Sequence, residues 1–283
     1  MPELPEVENV RAGLEMRLTG RTIEKVEVYW DNIIASPAID EFCERLKGQQ
    51  FERIERRGKF LLFFLTDVAI LSHLRMEGKY QIVPHATPRT KHTHVIFHLD
   101  YEDDLRYLDV RKFGRLSLVE KSNIYQHPSL QKLGPEPTDE ALSVYAMQQF
   151  LKSRTKSIKG VLLDQSMVAG LGNIYVDEVL FRAGIHPETP GKQVKYQQLE
   201  ILREAIIKVM KEALQAGGTT IRTYANSFGD PGHYQDFLQV YGKKGKPCPN
   251  CHTPIQKIKV AGRGTHFCPH CQKLPQKAEG VTP

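Results

Sequence analysis

Leu133-Gly134-Pro135-Glu136-Pro137 is the stretch on which the reading of this chain turns. Two prolines and a glycine in five residues interrupt any regular element, and the hydrophobic periodicity differs on its two sides. Between Thr22 and about Val119 the apolar residues fall in short runs: Ile23, Val26, Val28 and Trp30, then Phe60–Leu65, Val68–Leu71, His94–Leu99, Leu105–Val110 and Arg115–Val119. Turn clusters at Asp67, Tyr101–Asp104 and Gly114 separate them, so these runs are expected to be strands. Many short strands at close spacing predict a sandwich or a flattened barrel. A helix near 39–47 interrupts the series. Ahead of it, Val7, Val10, Leu14 and Leu18 line one face of a helix over 5–18, with Pro5 in its first turn.

Beyond Pro137 the period lengthens to that of helices, expected over about 139–152, 157–164, 174–183 and 195–216. The last carries Leu199, Leu202, Ile206 and Val209 on one face and stops at Gly217-Gly218. A polar, glycine-rich stretch follows. The expected organisation is an N-terminal domain over 1–132, a linker over 133–137, a helical domain over 138–240, a cysteine-bearing segment over 241–273 and a disordered tail over 274–283. The whole is a multi-domain α+β chain.

Charge is concentrated at one end. From Tyr241 onward there are eight Lys/Arg and one acid, which places +7 in the last 43 residues and leaves −1 for everything before. A basic segment on a near-neutral body points to a phosphate backbone as partner. With 40% apolar and 25% charged residues, and no run of about 18 apolar residues or basic-then-apolar leader, the composition is that of a globular protein without a membrane span. A cytoplasmic location is expected.

That basic segment also holds four of the five cysteines. Cys248-Pro249-Asn250-Cys251 and Cys268-Pro269-His270-Cys271, sixteen residues apart, have the spacing of a four-thiolate zinc site on a β-hairpin. Four thiolates close the coordination sphere, so the single Zn2+ expected here is structural. Cys43, alone in a helical pattern, reads as a core residue. Between the pairs, Gly262 and Gly264 flank Arg263, which predicts an arginine at a tight hairpin tip suited to clamping a phosphate.

Several other stretches carry chemistry. The segment from Leu163 to Tyr175 reads as a helix end, a glycine-rich turn and a helix start at Asn173, a place where backbone N–H groups bind phosphate or where Asn173 is a plain cap. Arg56-Arg57-Gly58-Lys59-Phe60 suits a lysine on a strand edge facing a phosphate, or simple surface charge. Met76 before Glu77-Gly78 and Phe113 before Gly114 suit wedges entering a base stack, or core packing. His92 and His94 alternate along one strand without a third metal ligand beside them.

The chain begins Met1-Pro2-Glu3-Leu4-Pro5-Glu6-Val7-Glu8. With Met1 removed, Pro2 offers a secondary amine. An α-amino group titrates near 7.7–8.0 against about 10.4 for lysine, so roughly a tenth of it is uncharged at neutral pH. Such an amine attacks a sugar C1′ to give an iminium that assists elimination, with Glu3 placed to move protons. The same residues also suit an ordinary Pro/Glu helix start.

Taken together, the Met-Pro-Glu-Leu-Pro-Glu start, Arg111-Lys112-Phe113-Gly114, Gly172-Asn173-Ile174-Tyr175 and the terminal cysteine pairs resemble the bacterial formamidopyrimidine-DNA glycosylase family, from Met1 to about Lys273. The resemblance implies an N-terminal β-sandwich with flanking helices, then a helix-two-turn-helix domain ending in a β-hairpin zinc finger, with duplex DNA between them. It implies Pro2 as the nucleophile at C1′, Glu3 as proton donor, Lys59 in the glycosylase and β-elimination steps and Arg263 in δ-elimination. Asn173 and Arg263 would grip phosphates, His92, Arg111 and Arg154 would contact DNA, and Met76, Arg111 and Phe113 would fill the space left by an extruded nucleotide. Residues 217–234 would form the loop over that base. The implied reaction is excision of oxidised purines, 8-oxoguanine and formamidopyrimidines, followed by strand cleavage in base excision repair, by a monomer acting on nucleoid DNA. An endonuclease VIII-like enzyme for oxidised pyrimidines is the nearest rival, although Leu4 stands where that branch usually has glycine. A non-catalytic module that binds damaged DNA is the other.

Overall fold

A computed structural model describes residues 1–219 and 232–275. The chain divides into two compact units, one of 1–132 with 214–235 and one of 133–213 with 236–283.

The first unit opens with α1 (Leu4–Leu18), β1 (Ile23–Val28), β2 (Ile34–Ser36) and α2 (Ile39–Leu46). It continues through β3 (Phe51–Arg57), β4 (Phe60–Leu65), β5 (Val68–His73), β6 (Lys79–Pro84), β7 (Thr93–Leu99), β8 (Asp103–Leu108) and β9 (Arg115–Glu120), and then α3 (Pro128–Gln131). The strands form two sheets, one in the order β1-β7-β8-β6 and one in the order β2-β9-β5-β4-β3. Alternate residues of both sheets, such as Val95, Phe97 and Leu99 from one and Leu61, Phe63 and Leu65 from the other, enter a single core with Val10 and Leu14 of α1 and Phe42 of α2. Fully burying a side chain of this size contributes about 1.5–3 kcal/mol, so the sandwich is a rigid base for the turns at its ends. β2, β3 and β6 were not among the expected strands.

The second unit contains α4 (Val144–Leu151), α5 (Ile158–Leu163), α6 (Asn173–Arg182), α7 (Tyr196–Gln215, whose last two residues belong to the first unit) and a hairpin of β10 (Gln256–Val260) and β11 (Arg263–Phe267). The helix expected from 139 starts only at Val144, because Ser143 caps it by accepting the Ala146 N–H at 3.2 Å. Between α5 and α6, Gln165 organises the turn: its carbonyl oxygen accepts the Gly170 N–H at 2.8 Å and its amide donates to the Leu171 carbonyl. Most of the expected 217–234 loop, residues 220–231, and the end of the expected tail, residues 276–283, lie outside the described residues.

Candidate catalytic and nucleic-acid-binding site

In the first unit the start of the chain is tied down by Glu6. One oxygen of its buried carboxylate accepts the Glu3 N–H at 2.7 Å; the other accepts the Thr219 N–H at 2.7 Å and the Thr219 hydroxyl at 3.1 Å. Asn9 donates to the Gly217 carbonyl at 3.1 Å. Gly218 has φ +80°, and a Cβ there would lie 2.6 Å from the Glu6 carboxylate, so this approach requires glycine. Pro2 is buried, and Glu3 is 2% exposed.

Lys59 joins this cluster through the β3–β4 hairpin. Arg57 pairs with Phe60, so Gly58 and Lys59 are the two turn residues, with Gly58 at φ +55°. Lys59 is therefore on a turn rather than on the strand edge expected, and it is only 5% exposed. Arg56 fixes the turn to α1, donating to Glu8 at 2.9 Å and to the Gly58 carbonyl at 3.0 Å. At the chain start, burial lowers the pKa of the Met1 amine, Glu3 and Glu6 pull it back up, Lys59 lowers it and Glu77 raises it. Glu3, Glu6, Lys59 and Glu77 thus each lie within electrostatic reach of the amino terminus.

A second cluster in the same unit holds both expected wedges. Met76 is half-buried and Phe113 is 49% exposed. Each follows a non-glycine residue with positive φ, Arg75 at +54° and Lys112 at +58°; Phe113 directly precedes Gly114 and Met76 stands two residues before Gly78, both glycines being packed against one hydroxyl. A Cβ on Gly78 would lie 2.2 Å, and one on Gly114 1.6 Å, from the Tyr107 Oη. Buried Asp109 shapes the second turn, accepting the N–H groups of Arg111 (2.9 Å), Phe113 (2.9 Å) and Gly114 (2.8 Å). Exposed Arg111 lies over the Phe113 ring, 4.8 Å from its centroid. The His92 carbonyl accepts the Asp109 N–H at 3.0 Å, and His94 is buried with Nε2 2.7 Å from the Asp109 carbonyl. Neither histidine belongs to a group of three metal-ligating side chains among the described residues. On the first turn, burial pushes the His73 imidazole down to about 3, with Arg75 and Lys59 adding to the effect, and His73 Nδ1 accepts the Arg75 N–H at 2.9 Å.

The second unit brings Asn173 and Arg263 together. Asn173 is the first residue of α6, capped by Gly172, and its side chain donates to the Gly264 carbonyl at 3.0 Å rather than capping the helix. Lys159 Nζ also reaches the Gly264 carbonyl, at 3.4 Å. The hairpin turn is Ala261-Gly262, both with positive φ, so exposed Arg263 is the first residue of β11 and not the tip itself. Two consecutive acids of α6 hold this end of the unit. Asp177, fully buried, accepts from Lys159 Nζ at 2.6 Å and from the His266 N–H at 2.8 Å. Glu178 accepts the N–H groups of Gln239, Val240 and Tyr241 at 2.8–2.9 Å; burial raises its carboxyl and these donors oppose the rise. Arg154 is exposed against the Phe150 ring, and among the described residues it shares no hydrogen bond with Asn173 or Arg263.

The four cysteine sulfurs lie within 4.8 Å of one another, with Cys248–Cys271 at 3.9 Å and Cys251–Cys268 at 3.4 Å. Zn–S bonds of about 2.3 Å in a tetrahedron place sulfurs about 3.8 Å apart, and a disulfide needs about 2.05 Å. The donor set fits one structural zinc, which would brace β10 and β11 and take no part in chemistry.

Glu6, Asp109, Gln165, Asp177 and Glu178 are organising residues that the sequence did not single out. Each acts on a backbone group, and periodicity carries no signal for that. Two of them also carry a local signal: Asp109 stands two to five residues ahead of its donors, as in a turn, and Glu6 closes a capping box with Glu3 at the start of α1.

Three family models match the chain: the formamidopyrimidine-DNA glycosylase N-terminal domain over 1–116, the formamidopyrimidine-DNA glycosylase H2TH domain over 133–225, and a zinc finger found in FPG and IleRS over 245–274. The formamidopyrimidine-DNA glycosylase of Enterococcus faecalis is 54% identical over 274 residues, covering 97% of this chain and 98% of that protein. The one from Listeria innocua is 50% identical, covering 96% and 100%. Among solved structures, Lactococcus lactis Fpg bound to N7-benzyl-Fapy-dG DNA superposes with a TM-score of 0.91 at 44% identity, covering 96% of this chain and all of that one. Its complex with abasic-site DNA gives the same TM-score and identity, covering 96% and 99%.

Proposed function

The chain belongs to the formamidopyrimidine-DNA glycosylase family, and we propose on that premise that it excises oxidised purines from duplex DNA and then cleaves the strand at the abasic sugar. The observation that carries this reading is the burial of Pro2, Glu3 and Lys59 at the start of the chain, where burial also lowers the pKa of the Met1 amine. An amine in that environment is more often uncharged, hence nucleophilic, than a solvated one.

The chemistry then follows from the groups present. With Met1 removed, the Pro2 nitrogen attacks C1′ of the damaged nucleotide while the C1′–N bond to the base breaks. Lys59 assists this step, and Glu3, as proton donor, protonates the ring oxygen O4′ as the C1′–O4′ bond breaks. The ring-opened product is an iminium, positively charged at every pH, which acidifies C2′. Loss of a C2′ proton, assisted by Lys59, expels the 3′ phosphate by β-elimination; loss of the C4′ proton then expels the 5′ phosphate in a second elimination, with Arg263 at that phosphate. Water then hydrolyses the iminium and regenerates the amine.

A base inside a duplex cannot be reached at C1′ from the required side, so the nucleotide must leave the stack at a cost of a few kcal/mol. Met76 and Phe113 offset that cost by filling the vacated space, with Arg111 facing the orphan cytosine. Asn173 and Arg263 grip the backbone, and His92 and Arg154 add contacts with DNA. We assign the enzyme to the cytoplasm, where bacterial DNA lies, as a monomer. We assign catalysis to 1–132, DNA binding to 138–240 and the zinc finger to 241–273.

Borohydride trapping on an 8-oxoguanine:cytosine duplex tests the proposal, with intact mass fixing the state of Met1. An adduct mapping to Pro2 is the expected result. With Met1 absent, tight lesion binding and no adduct would overturn the iminium mechanism and favour a binding module. Preference for a thymine glycol duplex would favour oxidised pyrimidines.

A further inference from the structure

On the four-stranded sheet, away from every residue given a role above, two imidazoles converge on one carboxylate oxygen. His85 Nδ1, on the turn after β6, lies 2.6 Å from Asp104 Oδ1, and His98 Nδ1, on β7, lies 2.8 Å from the same oxygen. Asp104 and His98 are directly paired across β8 and β7, and His85 is anchored beside them by its N–H to the Glu102 carbonyl at 2.8 Å. The rings meet nearly at right angles, 82°, with centroids 5.2 Å apart, so their Nδ1 atoms point to one place from two directions. Asp104 is 1% exposed, and Arg106 holds its other oxygen at 2.7 and 3.0 Å, which leaves Oδ1 to the imidazoles.

We propose that His85, His98 and Asp104 form a second metal site, for a borderline divalent ion of the first transition row such as Zn2+. Two imidazole nitrogens and a carboxylate oxygen are the donor set such ions prefer, and Ca2+ and Mg2+ select all-oxygen sites. Bonds of about 2.0–2.1 Å in a tetrahedron separate ligand atoms by about 3.3 Å, so the ring nitrogens retreat from Oδ1 by roughly half an ångström. His85, on an exposed turn, is free of the strand register that would resist this shift.

The protons balance without an external base. His98 Nδ1 lies within hydrogen-bond distance of Asp104 Oδ1 and His85 Nδ1 in close contact with the same atom; on binding, each Nδ1 gives its lone pair to the metal and a ring proton resides on Nε2. For His98 an acceptor already waits there, Glu27 Oε2 at 3.6 Å, and Glu27 is itself held by Lys25 at 2.6 Å and by the Tyr29 hydroxyl. A carboxylate behind a ligating histidine is the usual device for fixing its tautomer and raising its basicity. Arg106 opposes a cation by its charge, yet it also holds the carboxylate in one orientation. Three protein ligands leave the fourth position open to water, unlike the closed four-cysteine site.

The test is a Zn2+ titration of the untagged full chain already carrying its finger zinc, followed by calorimetry and by elemental analysis after gel filtration. The parent is expected to take a second equivalent, and His85→Asn and His98→Asn each to remain at one, with unchanged excision. Glu27→Gln is expected to bind the second ion about 10-fold more weakly. A parent that stops at one equivalent, or histidine variants that both retain two, would overturn the proposal.

Discussion

Asp109 makes the role of the Arg111–Gly114 turn measurable. Its two oxygens take three backbone N–H groups, one on Oδ1 and two on Oδ2, and the last of them, from Gly114, is buried. Asp109→Ala strands that buried donor, at about 1–3 kcal/mol, and gives up two charged hydrogen bonds whose donors water can partly serve, at about 1 kcal/mol each. The expected loss is therefore about 3–5 kcal/mol. Asp109→Asn keeps one acceptor oxygen. Its amide costs least when turned towards Arg111, where it confronts one donor rather than two, so a loss of about 1.5–3 kcal/mol is expected. Both remain below the stability of an ordinary domain of about 5–15 kcal/mol, so the variants should fold. Urea denaturation supplies the stabilities, and excision from an 8-oxoguanine:cytosine duplex supplies the functional consequence. Loss of activity should follow the same order, because the turn presents Arg111 and Phe113. If Asp109→Ala stays within about 0.5 kcal/mol of the parent, the range of ordinary surface changes, and excises normally, the account of this turn is wrong.

In the second unit, Lys159→Met should destabilise by about 3–5 kcal/mol by leaving Asp177 charged and buried, and pairing it with Asp177→Asn should recover part of that loss in a denaturation cycle. His73 titrates well below an unfolded histidine, so its contribution is complete above pH 6.5 and is lost as pH falls towards 3. His73→Asn, which keeps an acceptor for the Arg75 N–H, should therefore show a smaller difference in stability between pH 7 and pH 5 than the parent. Gly114→Ala drives a methyl into the Tyr107 hydroxyl and should cost about 1–3 kcal/mol by denaturation, and it should weaken binding to lesion-containing duplex more than binding to undamaged duplex.

What the sequence made legible were features in which neighbouring residues explain one another. The helix at the chain start, the sandwich strands that read as short apolar runs between turn residues, and the cysteine pairs are of that kind. β3 escaped notice because charges occupy Glu52, Arg53, Glu55, Arg56 and Arg57, while a register shift between Phe51 and Arg53 breaks the period of its inward residues. Lys59 and Arg263 were found as residues but misplaced in local geometry. Gly58-Lys59 is itself a hairpin turn, and Ala261-Gly262 rather than the two flanking glycines makes the finger turn. The buried acids were illegible for a different reason. Glu6 meets Thr219 across 213 positions and Asp177 meets the His266 N–H across 89, and a distant main-chain N–H leaves no residue type to read; even the Lys159 that pairs with Asp177 stands 18 positions away, on another helix.

The bond between Glu6 and Thr219 also sets an order in time. A ribosome adds roughly 5–20 residues per second, so roughly 4–17 s separate the synthesis of residue 132 from that of Thr219. During that interval the strands of the first unit are complete, yet the opening turn of α1 still lacks the segment that closes over it. The nascent protein therefore passes through a stage in which its sandwich is built and its amino-terminal turn remains open to processing enzymes. A fragment ending at residue 132 would be held at that stage for good.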